Sequence, residues 1–443
     1  MEQETRNNET VRNISPGRET ASGIRESLLH NLQSNTTPLA PERWMAEKFL
    51  AMAGNPPLAM DLWGTETVKS DHANIQYRLR VADRAALYEL MSNPNLALGD
   101  LYTEGRVELE GHLPDLLTDL YWTLDRTYEQ LPLFLRLLWR NQSPRSTSLS
   151  AARDNIHHHY DLGNDFYQLW LDSAEMQYTC AYYEEPDITL EQAQLAKLEL
   201  VCRKLRLQPG ETVVELGCGW GGLARYMARN HGVKVRAFNI SQEQVDYARA
   251  KAKEDGLEDQ VQYVLDDYRN VSGEYDKVVS VGMMEHVGRD YYADFAAVIR
   301  RHLKDKGLAL VHSIGRNYPM RTNAWIEKRI FPGAYPPSIQ ELVSVGEAGP
   351  FSVLDVENLR LHYAQTLEDW LSRFEANIDT IKSNYGENFS RAWRLYLAGS
   401  IASFRTSSLQ LFQMVLAHPD NNSVPRNRKH LYTSSNVPVE GST

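Results

Sequence analysis

A glycine-rich loop with a carboxylate just before it is the part of this sequence best suited to chemistry. Residues Val214–Gly222 read VELGCGWGG, where an apolar strand gives way to a helix. Glycines at such a junction let the backbone approach a ligand closely and adopt positive φ angles. Four glycines in six residues make a purely structural turn a poor explanation. The loop therefore predicts a binding site for a small molecule.

Two kinds of cofactor fit such a loop, and the nearby acidic residues distinguish them. The spacing Gly217-x-Gly219-x-x-Gly222 also satisfies the dinucleotide pattern, which needs a carboxylate at the end of the second strand. That strand ends in Phe238-Asn239-Ile240 instead. Glu215 lies two residues before the first glycine, where it would repel a pyrophosphate and attract a cation. Since S-adenosylmethionine carries a sulfonium and an ammonium, the pattern favours a methyltransferase over a nicotinamide enzyme.

The elements that must position this loop alternate between strand and helix, which is typical of a parallel α/β sheet. Periodicity predicts strands at Thr212–Leu216, Val233–Phe238, Val261–Leu265, Lys277–Val281, Leu308–His312 and Leu409–Ala417. It predicts helices at Gly222–Asn230, Gln242–Asp255 (with Ser241 as N-cap) and Tyr291–Leu303. Glu215 then lies at the carboxyl end of a strand, the edge where such sheets bind ligands.

The chain before this sheet predicts a smaller unit, because 443 residues exceed one ordinary domain. The patterns predict helices at Arg43–Ala53, Ala82–Ser92 and Leu113–Leu138 (broken at Pro132), a strand at Ile75–Val81, and a turn-rich stretch holding Gly99-Asp100 and Gly105. The predicted organisation is a disordered tail (1–40), a small α+β domain (42–140), a linker (141–154), a catalytic domain (155–420) and a flexible tail (421–443).

Composition argues against several classes of protein. A net charge of −11 disfavours a nucleic-acid binder held by general electrostatics. Cys180, Cys202 and Cys218 form neither a disulfide framework nor a CxxC site, and His157–His159 lacks the helical spacing of metal ligands, so no metal is expected. The sequence contains no apolar run of about 18 residues, so no membrane-spanning segment is predicted. We expect a cytoplasmic enzyme.

Several strings, in order along the chain, resemble one family, the cyclopropane fatty acid synthases together with the mycolic acid cyclopropane synthases. They are His159–Tyr167 (HYDLGNDFY), Gln177–Tyr182 (QYTCAY), the glycine loop, Ser280–Gly288 (SVGMMEHVG) and His312–Gly315 (HSIG). The resemblance runs from about residue 158 to about residue 417, with a weaker echo at 99–105. It implies a class I methyltransferase fold, a mostly parallel, seven-stranded, Rossmann-like α/β sheet with helical cap insertions.

The resemblance also implies a reaction. A cis alkene in a phospholipid acyl chain attacks the methyl group of S-adenosylmethionine, and a bound bicarbonate removes a proton as a cyclopropane ring closes. By match to the family motifs, the bicarbonate site is carried over to Cys180, Glu285, His312, the backbone amide of Ile314, and Tyr363. Glu285 also lies just past one predicted buried strand, and His312 lies at the carboxyl end of another, on the functional rim of an α/β sheet. Tyr363 is the loosest match.

For the cofactor, the resemblance implies contacts along the same rim. They involve Tyr178 and Thr179 at the methionine end, the loop residues Glu215, Gly217, Cys218, Gly219 and Gly221, then Asn239, Ile240 and Gln244 at the ribose, and Asp267 and Tyr268 at the adenine. This sequence departs from the family at Asn239, where a Thr is usual, and at Phe238, where a smaller apolar residue is usual.

An acidic protein that acts on lipid needs a local attraction to the bilayer. Between residues 312 and 337 four cations alternate with apolar residues: Arg316, Arg321, Lys328 and Arg329 with Trp325, Ile326, Ile330, Phe331 and Tyr335. This mixture suits a segment at the membrane interface, or equally a cap helix with a solvated basic face. The expected partner is the phospholipid bilayer, bound peripherally at its inner face, with homodimerisation expected by analogy alone.

Three other functions stay open on the sequence. A lipid C-methyltransferase would leave a methyl or methylene branch in place of a ring. A small-molecule N-methyltransferase shares the scaffold and would act on a soluble amine. A lipid- or cofactor-binding protein without activity would not need Glu285 and His312, so their presence argues against it.

Overall fold

The computed structural model describes residues 37–130 and 162–432. Features predicted outside these residues are the tail before residue 37, the break at Pro132, the linker 141–154, the run His157–His159 and the end of the C-terminal tail. The predicted boundary between the two domains falls there as well and stays a prediction.

Contacts divide the chain into two compact units. The first unit holds the residues up to Leu171, Arg316–Ser338 and Arg360–Gln410. The second unit holds Asp172–Gly315, Ile339–Leu359 and the residues from Leu411 onward. Most of the predicted site lies in the second unit.

Eleven strands are described. They are β1 (Leu58–Leu62), β2 (Glu66–Lys69), β3 (Tyr77–Val81), β4 (Val107–Glu110), β5 (Thr212–Leu216), β6 (Lys234–Asn239), β7 (Val261–Leu265), β8 (Tyr275–Val281), β9 (Leu303–Gly315), β10 (Ser352–Asn358) and β11 (Gln410–Ala417).

The described α-helices run along the whole chain. They are α1 (Ala40–Met52), α2 (Arg84–Ser92), α3 (Pro94–Thr103), α4 (Leu113–Gln130), α5 (Asn164–Gln168), α6 (Leu190–Leu205), α7 (Gly222–His231), α8 (Gln242–Glu254), α9 (Met284–Val287), α10 (Tyr292–His302), α11 (Ile339–Ala348), α12 (Arg360–Ala376), α13 (Ile378–Tyr385), α14 (Glu387–Arg405) and α15 (Lys429–Tyr432).

The second unit is built on a seven-stranded sheet in the order β10-β11-β9-β8-β5-β6-β7. Strands β5 to β9 pair in parallel, whereas β10 and β11 pair antiparallel. The sheet is therefore mixed but mostly parallel, which confirms the predicted α/β class. All six strands predicted for it are present, and β10 is the one that periodicity missed.

Apolar residues on one face of this sheet pack against α6, α7 and α8. Val213, Val235 and Ala237 from the strands meet Met227 and Val245 from the helices in one buried cluster. Residues at i, i+3 and i+4 of a helix share a face, so these helices can bury one side and leave the other in water. The cluster fixes the strands, and with them the loops at their carboxyl ends.

The first unit contains a four-stranded sheet in the order β2-β1-β3-β4. Burial alternates along β3, with Tyr77, Leu79 and Val81 inside and Arg78 and Arg80 outside. That alternation is the period-two pattern of a half-buried strand, and it confirms the predicted strand. The helices predicted at 43–53 and 82–92 correspond to α1 and α2, and the described part of α4 agrees with its prediction.

The predicted turn-rich stretch is confirmed at Gly105, which lies in a turn with a φ of 73°, but is wrong at Gly99-Asp100, because both residues lie inside α3. A Cβ on Gly99 would fall 2.4 Å from ring atoms of Trp325. Glycine is present there because an indole packs directly on the helix backbone, not because the chain turns.

The basic segment is less exposed than an interfacial helix would be. Trp325, Ile330 and Tyr335 are buried, as is Arg316. Arg329 forms a bidentate ion pair with Asp100 at 2.9 and 3.0 Å. Most of the apolar residues predicted to meet the membrane therefore belong to the core of the first unit. Among the described helices, none is long and apolar enough to cross a bilayer.

Candidate active site

The glycine loop follows β5 and has the backbone that its composition predicts. Gly217, Gly219 and Gly221 all have positive φ, at 82°, 51° and 78°. The hydroxyl of Tyr263 on β7 donates to the carbonyl of Gly221 at 2.7 Å, and a Cβ on Gly221 would lie 2.5 Å from that ring. Position 221 therefore requires glycine for two reasons: its backbone conformation and the close approach of the tyrosine ring.

Glu215 is buried at the end of β5, and its Oε2 has no hydrogen-bond partner among the described residues. Burial raises the pKa of this carboxyl to about 8, an effect that Lys197 and Arg225 partly oppose. A buried, unpaired carboxylate is costly unless a ligand compensates it. A cationic ligand would do so.

Asn239, at the end of β6, organises the next part of the rim. Its Oδ1 accepts from the amides of Ile240 and Ser241, and its Nδ2 donates to the carbonyl of Gly219 and to Gln244 Oε1. Gln244 is buried, and its Nε2 has no partner in the described chain. The network links the glycine loop to α8 and leaves one buried donor available for a ligand.

The predicted adenine end lies in a short 3₁₀ turn after β7. Asp267 caps this turn by accepting from the amide and the Nε of Arg269, at 2.9 and 2.8 Å. Tyr268 is buried with its hydroxyl unpaired, and burial raises its pKa to about 12. Glu215, Gln244 and Tyr268 therefore each have one unpaired polar atom on this rim. We call the rim, from Glu215 to Tyr268 with the glycine loop, the cofactor edge.

A buried lysine that sequence reasoning missed holds the QYTC segment in place. Lys197 on α6 donates from Nζ to Gln177 Oε1 at 2.6 Å and to Thr179 Oγ1 at 2.9 Å. Burial lowers its pKa to about 8. The half-buried Tyr178 lies between these two contacts in sequence. Lys197 also lies within electrostatic reach of Glu215 and Cys180, so it connects the cofactor edge to the predicted catalytic residues.

Glu285, in α9 just after β8, is held by the end of β9. Its Oε2 accepts from Ser313 Oγ at 3.0 Å, and its Oε1 accepts from the amide of Ile314 at 3.4 Å. Burial raises its pKa to about 7, and the two hydrogen bonds limit the rise. The structure therefore brings Glu285 and Ile314 together, as the predicted site requires, with Ser313 as a partner that the sequence did not indicate.

His312 precedes these residues on β9 and is almost fully buried. Its Nδ1 lies 3.1 Å from Gln413 Nε2, and Gln413 Oε1 accepts from Lys204 Nζ at 2.6 Å. Burial, helped by the charges of Lys197 and Lys204, places the pKa of His312 well below its usual value. His312 is therefore neutral at physiological pH. We call Glu285, His312, Ser313 and Ile314 the acceptor edge.

The two edges meet through small residues. A Cβ on Gly217 would lie 3.1 Å from the side chain of Met283, next to α9, and a Cβ on Gly282 would lie 3.0 Å from Thr179. Cys180 follows Thr179, is fully buried, and has its Sγ 3.1 Å from the carbonyl of Ala181. Met283 therefore packs against the glycine loop, and Thr179 lies close to the backbone just before α9.

Tyr363, the remaining predicted site residue, lies on α12 in the first unit. It is buried, with its ring 4.6 Å from that of Phe404 and 5.9 Å from that of Trp370. Its proposed contact with the bound anion stays a prediction.

The unpaired atoms of the cofactor edge fit the cofactor predicted from the sequence. The carboxylate of Glu215 suits a sulfonium or ammonium, and the Nε2 of Gln244 and the hydroxyl of Tyr268 suit polar groups of a nucleoside. The acceptor edge contributes hydrogen-bond donors and a protonatable carboxyl.

Comparison with known proteins finds matches over most of the chain. Residues 147–414 match the family model for mycolic acid cyclopropane synthetase, and residues 45–130 match a domain of unknown function. A probable fatty acid methyltransferase of Pseudomonas putida is 37% identical over 77% of this chain and 88% of its own length. A cyclopropane-fatty-acyl-phospholipid synthase of Escherichia coli is 36% identical over 78% of this chain and 89% of its own.

Solved structures give the same result for the fold. A mycolic acid cyclopropane synthase crystallised with SAH and CTAB matches 60% of this chain and 97% of its own, with 30% identity and a TM-score of 0.57. Coclaurine N-methyltransferase also reaches a TM-score of 0.57, but at 21% identity, so this second likeness shows only a shared fold. The seven-stranded sheet is that of the class I methyltransferases.

Proposed function

The chain belongs to the mycolic acid cyclopropane synthetase family, and from that premise we propose a specific reaction. The protein is an S-adenosylmethionine-dependent methyltransferase of the kind that modifies lipid acyl chains. In our proposal it adds one carbon across the cis double bond of an unsaturated phospholipid acyl chain to form a cyclopropane ring, with bicarbonate as the base.

One observation carries the choice of an anionic base. Burial, and after it the charges of Lys197 and Lys204, place the pKa of His312 well below its usual value, so a positive charge at this position is disfavoured. The same field stabilises a bound anion. A protein base that became positively charged on accepting a proton would be opposed by the field, whereas bicarbonate becomes neutral.

The chain's own residues then divide the work. S-adenosylmethionine supplies an electrophilic methyl carbon when it is bound. Glu215 holds its positive end, and Asn239 and Gln244 fix the nucleoside end, so the methyl position is set before the alkene arrives. The buried surroundings exclude water, which protects a cationic acyl chain from hydration.

At the acceptor edge the residues hold a small oxyanion. The imidazole of His312 and the amide of Ile314 are donors, Cys180 and Tyr363 are further candidates, and Glu285 has both protonation states accessible because its pKa is raised to about 7. The Ile314 amide faces Glu285 at a long 3.4 Å, so it can be shared with an incoming anion. Bicarbonate, when bound, would take the proton released from the transferred carbon.

Product analysis tests the reaction. The full chain is incubated with S-adenosylmethionine and vesicles of an unsaturated phospholipid, and the released fatty acids are identified by mass spectrometry and NMR. We expect a mass gain of one methylene and cyclopropane proton signals. A soluble amine methylated without any vesicles, and no lipid product, would contradict the proposal.

A second candidate product is favoured by the relative named a probable fatty acid methyltransferase, which is 37% identical. A methylene branch has the same mass as a ring, so the NMR spectrum or resistance to catalytic hydrogenation must separate them.

The role of bicarbonate is tested in carbon-dioxide-depleted buffer. There we expect activity to fall and to return when bicarbonate is added.

We also propose that the enzyme binds the inner surface of the membrane peripherally, in the cytoplasm. With Trp325, Ile330 and Tyr335 buried, the exposed residues of the basic segment are those around Tyr318, Met320 and Arg321, together with Lys328. Flotation with anionic and zwitterionic vesicles tests this contact, and equal binding to both would count against the basic residues. Homodimerisation, proposed by analogy, is tested by light scattering.

A further inference from the structure

A buried chain of polar groups ends on His312. It runs from Glu357 on β10 to Lys204 on α6, then to Gln413 on β11, and finally to His312 on β9. Lys204, Gln413 and His312 are each at most 2% exposed. Three polar side chains at that depth, in contact end to end, are costly unless every hydrogen bond is made. No motif in the sequence predicts a role for Lys204, Gln413 or Glu357.

In this series of polar groups, donors and acceptors can be assigned in only one consistent way. An ammonium group has donors and no acceptor, so the oxygen of Gln413 must face Lys204 at 2.6 Å. The reverse orientation would set two donors against each other at that distance. The amide nitrogen of Gln413 therefore faces His312 and donates to Nδ1 at 3.1 Å. Burial lowers the pKa of Lys204, and Glu357, which accepts from its ammonium, opposes that lowering.

This direction determines which ring nitrogen of His312 carries the proton. A neutral imidazole has one donor and one acceptor nitrogen. Since Nδ1 accepts from Gln413, the proton is on Nε2. The side-chain hydrogen bond that His312 makes within the described residues is the one through Nδ1. The ring thus presents a donor, and no acceptor, to whatever lies at the acceptor edge.

We propose that Lys204 and Gln413 are positioning residues, which fix His312 as a neutral hydrogen-bond donor through Nε2 and prevent it from acting as the base. The catalytic consequence rests on the proposed function, because only there does His312 hold the anion that takes the proton. The tautomer itself follows from the hydrogen bonds alone.

Nitrogen NMR of the full chain labelled with ¹⁵N-histidine tests the tautomer directly. The His312 signals are assigned as those missing from His312→Gln, among the 13 histidines of the chain. We expect a protonated Nε2 and an unprotonated Nδ1 in the wild type at neutral pH, with no lipid or cofactor added. A protonated Nδ1 in the wild type would overturn the proposal without the need for any Gln413 variant.

The variant Gln413→Glu has nearly the same shape but can only accept. It keeps an oxygen for Lys204, and its second oxygen would accept a hydrogen bond from Nδ1–H, so the protonated nitrogen should change from Nε2 to Nδ1. We expect kcat to fall roughly 100-fold or more, with KM for S-adenosylmethionine within about twofold. Gln262→Glu, an exposed change on β7, controls for the added charge. An unchanged Nε2–H signal in Gln413→Glu would contradict the proposal.

The two measurements separate this inference from the proposed function. If no lipid product forms but the expected tautomer and its reversal are seen, the proposed reaction is wrong and the positioning chain stands. If lipid product forms and Gln413→Glu reverses the tautomer without lowering kcat, the tautomer does not matter to the reaction and the positioning role fails.

Discussion

The cofactor edge and the acceptor edge belong to one sheet but satisfy their polar groups differently. Along the cofactor edge, Glu215 Oε2, Gln244 Nε2 and the Tyr268 hydroxyl are buried without a partner among the described residues. Along the acceptor edge, Glu285 is paired with Ser313 and Ile314, and His312 with Gln413. The cofactor edge leaves three buried atoms without a protein partner, whereas on the acceptor edge the side chains of Glu285 and His312 are each held by at least one protein hydrogen bond.

This difference indicates which edge should control cofactor affinity and which should control the reaction rate. Atoms that find partners only in a ligand contribute to affinity, because their burial is compensated only on binding. Side chains already fixed by the protein contribute to rate, because they need no reorganisation when the reaction occurs. Substitutions on the cofactor edge should therefore change the binding of S-adenosylmethionine, and substitutions on the acceptor edge should change kcat.

The largest expected effect is that of Glu285→Gln. A carboxyl with a pKa of about 7 can hold or release a proton at neutral pH, whereas an amide cannot. We expect kcat to fall by roughly 10²- to 10³-fold, with the Kd for S-adenosylmethionine unchanged within about twofold. Steady-state kinetics and calorimetry measure the two quantities. Glu274→Gln, on an exposed turn, is the matched control, and wild-type activity in Glu285→Gln would remove Glu285 from the site.

Glu215→Gln should have the opposite profile. Removing the charge that faces the cofactor's cation should weaken S-adenosylmethionine binding roughly 100-fold, by about 2.7 kcal/mol, with a smaller change in kcat at saturation. Because the pKa of Glu215 is about 8 without a ligand, the wild type should release a proton on binding at pH 7. Calorimetry in buffers of different ionisation enthalpy detects that proton. Equal release by the variant would assign it to another group.

Gln244→Ala should weaken S-adenosylmethionine binding about 10-fold, since one neutral hydrogen bond contributes about 1 kcal/mol. Asn239 keeps its bond to Gly219, so the glycine loop should stay in place. Gln242→Ala, on the exposed start of the same helix, should bind as the wild type does. A fall in kcat without a change in Kd for Gln244→Ala would break the division between the two edges.

The smallest expected effect is on stability. Burial raises the pKa of Glu285 from 4.5 to about 7, so its contribution to folding is present below pH 4.5 and is lost as pH rises through 7. Glu285→Gln does not titrate and should gain stability relative to the wild type between pH 5 and pH 8. We expect a gain of about 2 kcal/mol, a Tm change of only a degree or two for a chain of this size. A gain that is larger at pH 5 than at pH 8 would have the wrong sign.

The sequence predicts the sheet well because a buried parallel strand needs an apolar run whatever its neighbours are. Six strands of the second unit are found within a few residues of their predictions, and Ser241 caps α8 as predicted. Glu215 could be identified because its charge stands beside a glycine loop. Strand β10 was missed because its residues are half-buried or exposed and show no clean alternation.

The hydrogen-bond partners could not be predicted, because they come from distant parts of the chain. Gln413 and His312 are 101 residues apart. A glutamine in the middle of the apolar run 409–417 was the available signal, since a polar residue in a buried strand needs a partner. Lys197 and Lys204 fall on α6, a helix that the patterns did not indicate. The turn predicted at Gly99 was wrong for the same reason, because the residue that packs against this glycine, Trp325, lies far along the chain.

The position of β11 between β9 and β10 also bears on how the protein is made. During synthesis, the glycine loop and all the parallel strands emerge from the ribosome before residue 413. The strands that carry the glycine loop therefore precede Gln413 in the order of synthesis. His312 can receive its hydrogen bond from Gln413 only after β11 has joined the sheet, so this contact belongs to a late step of folding.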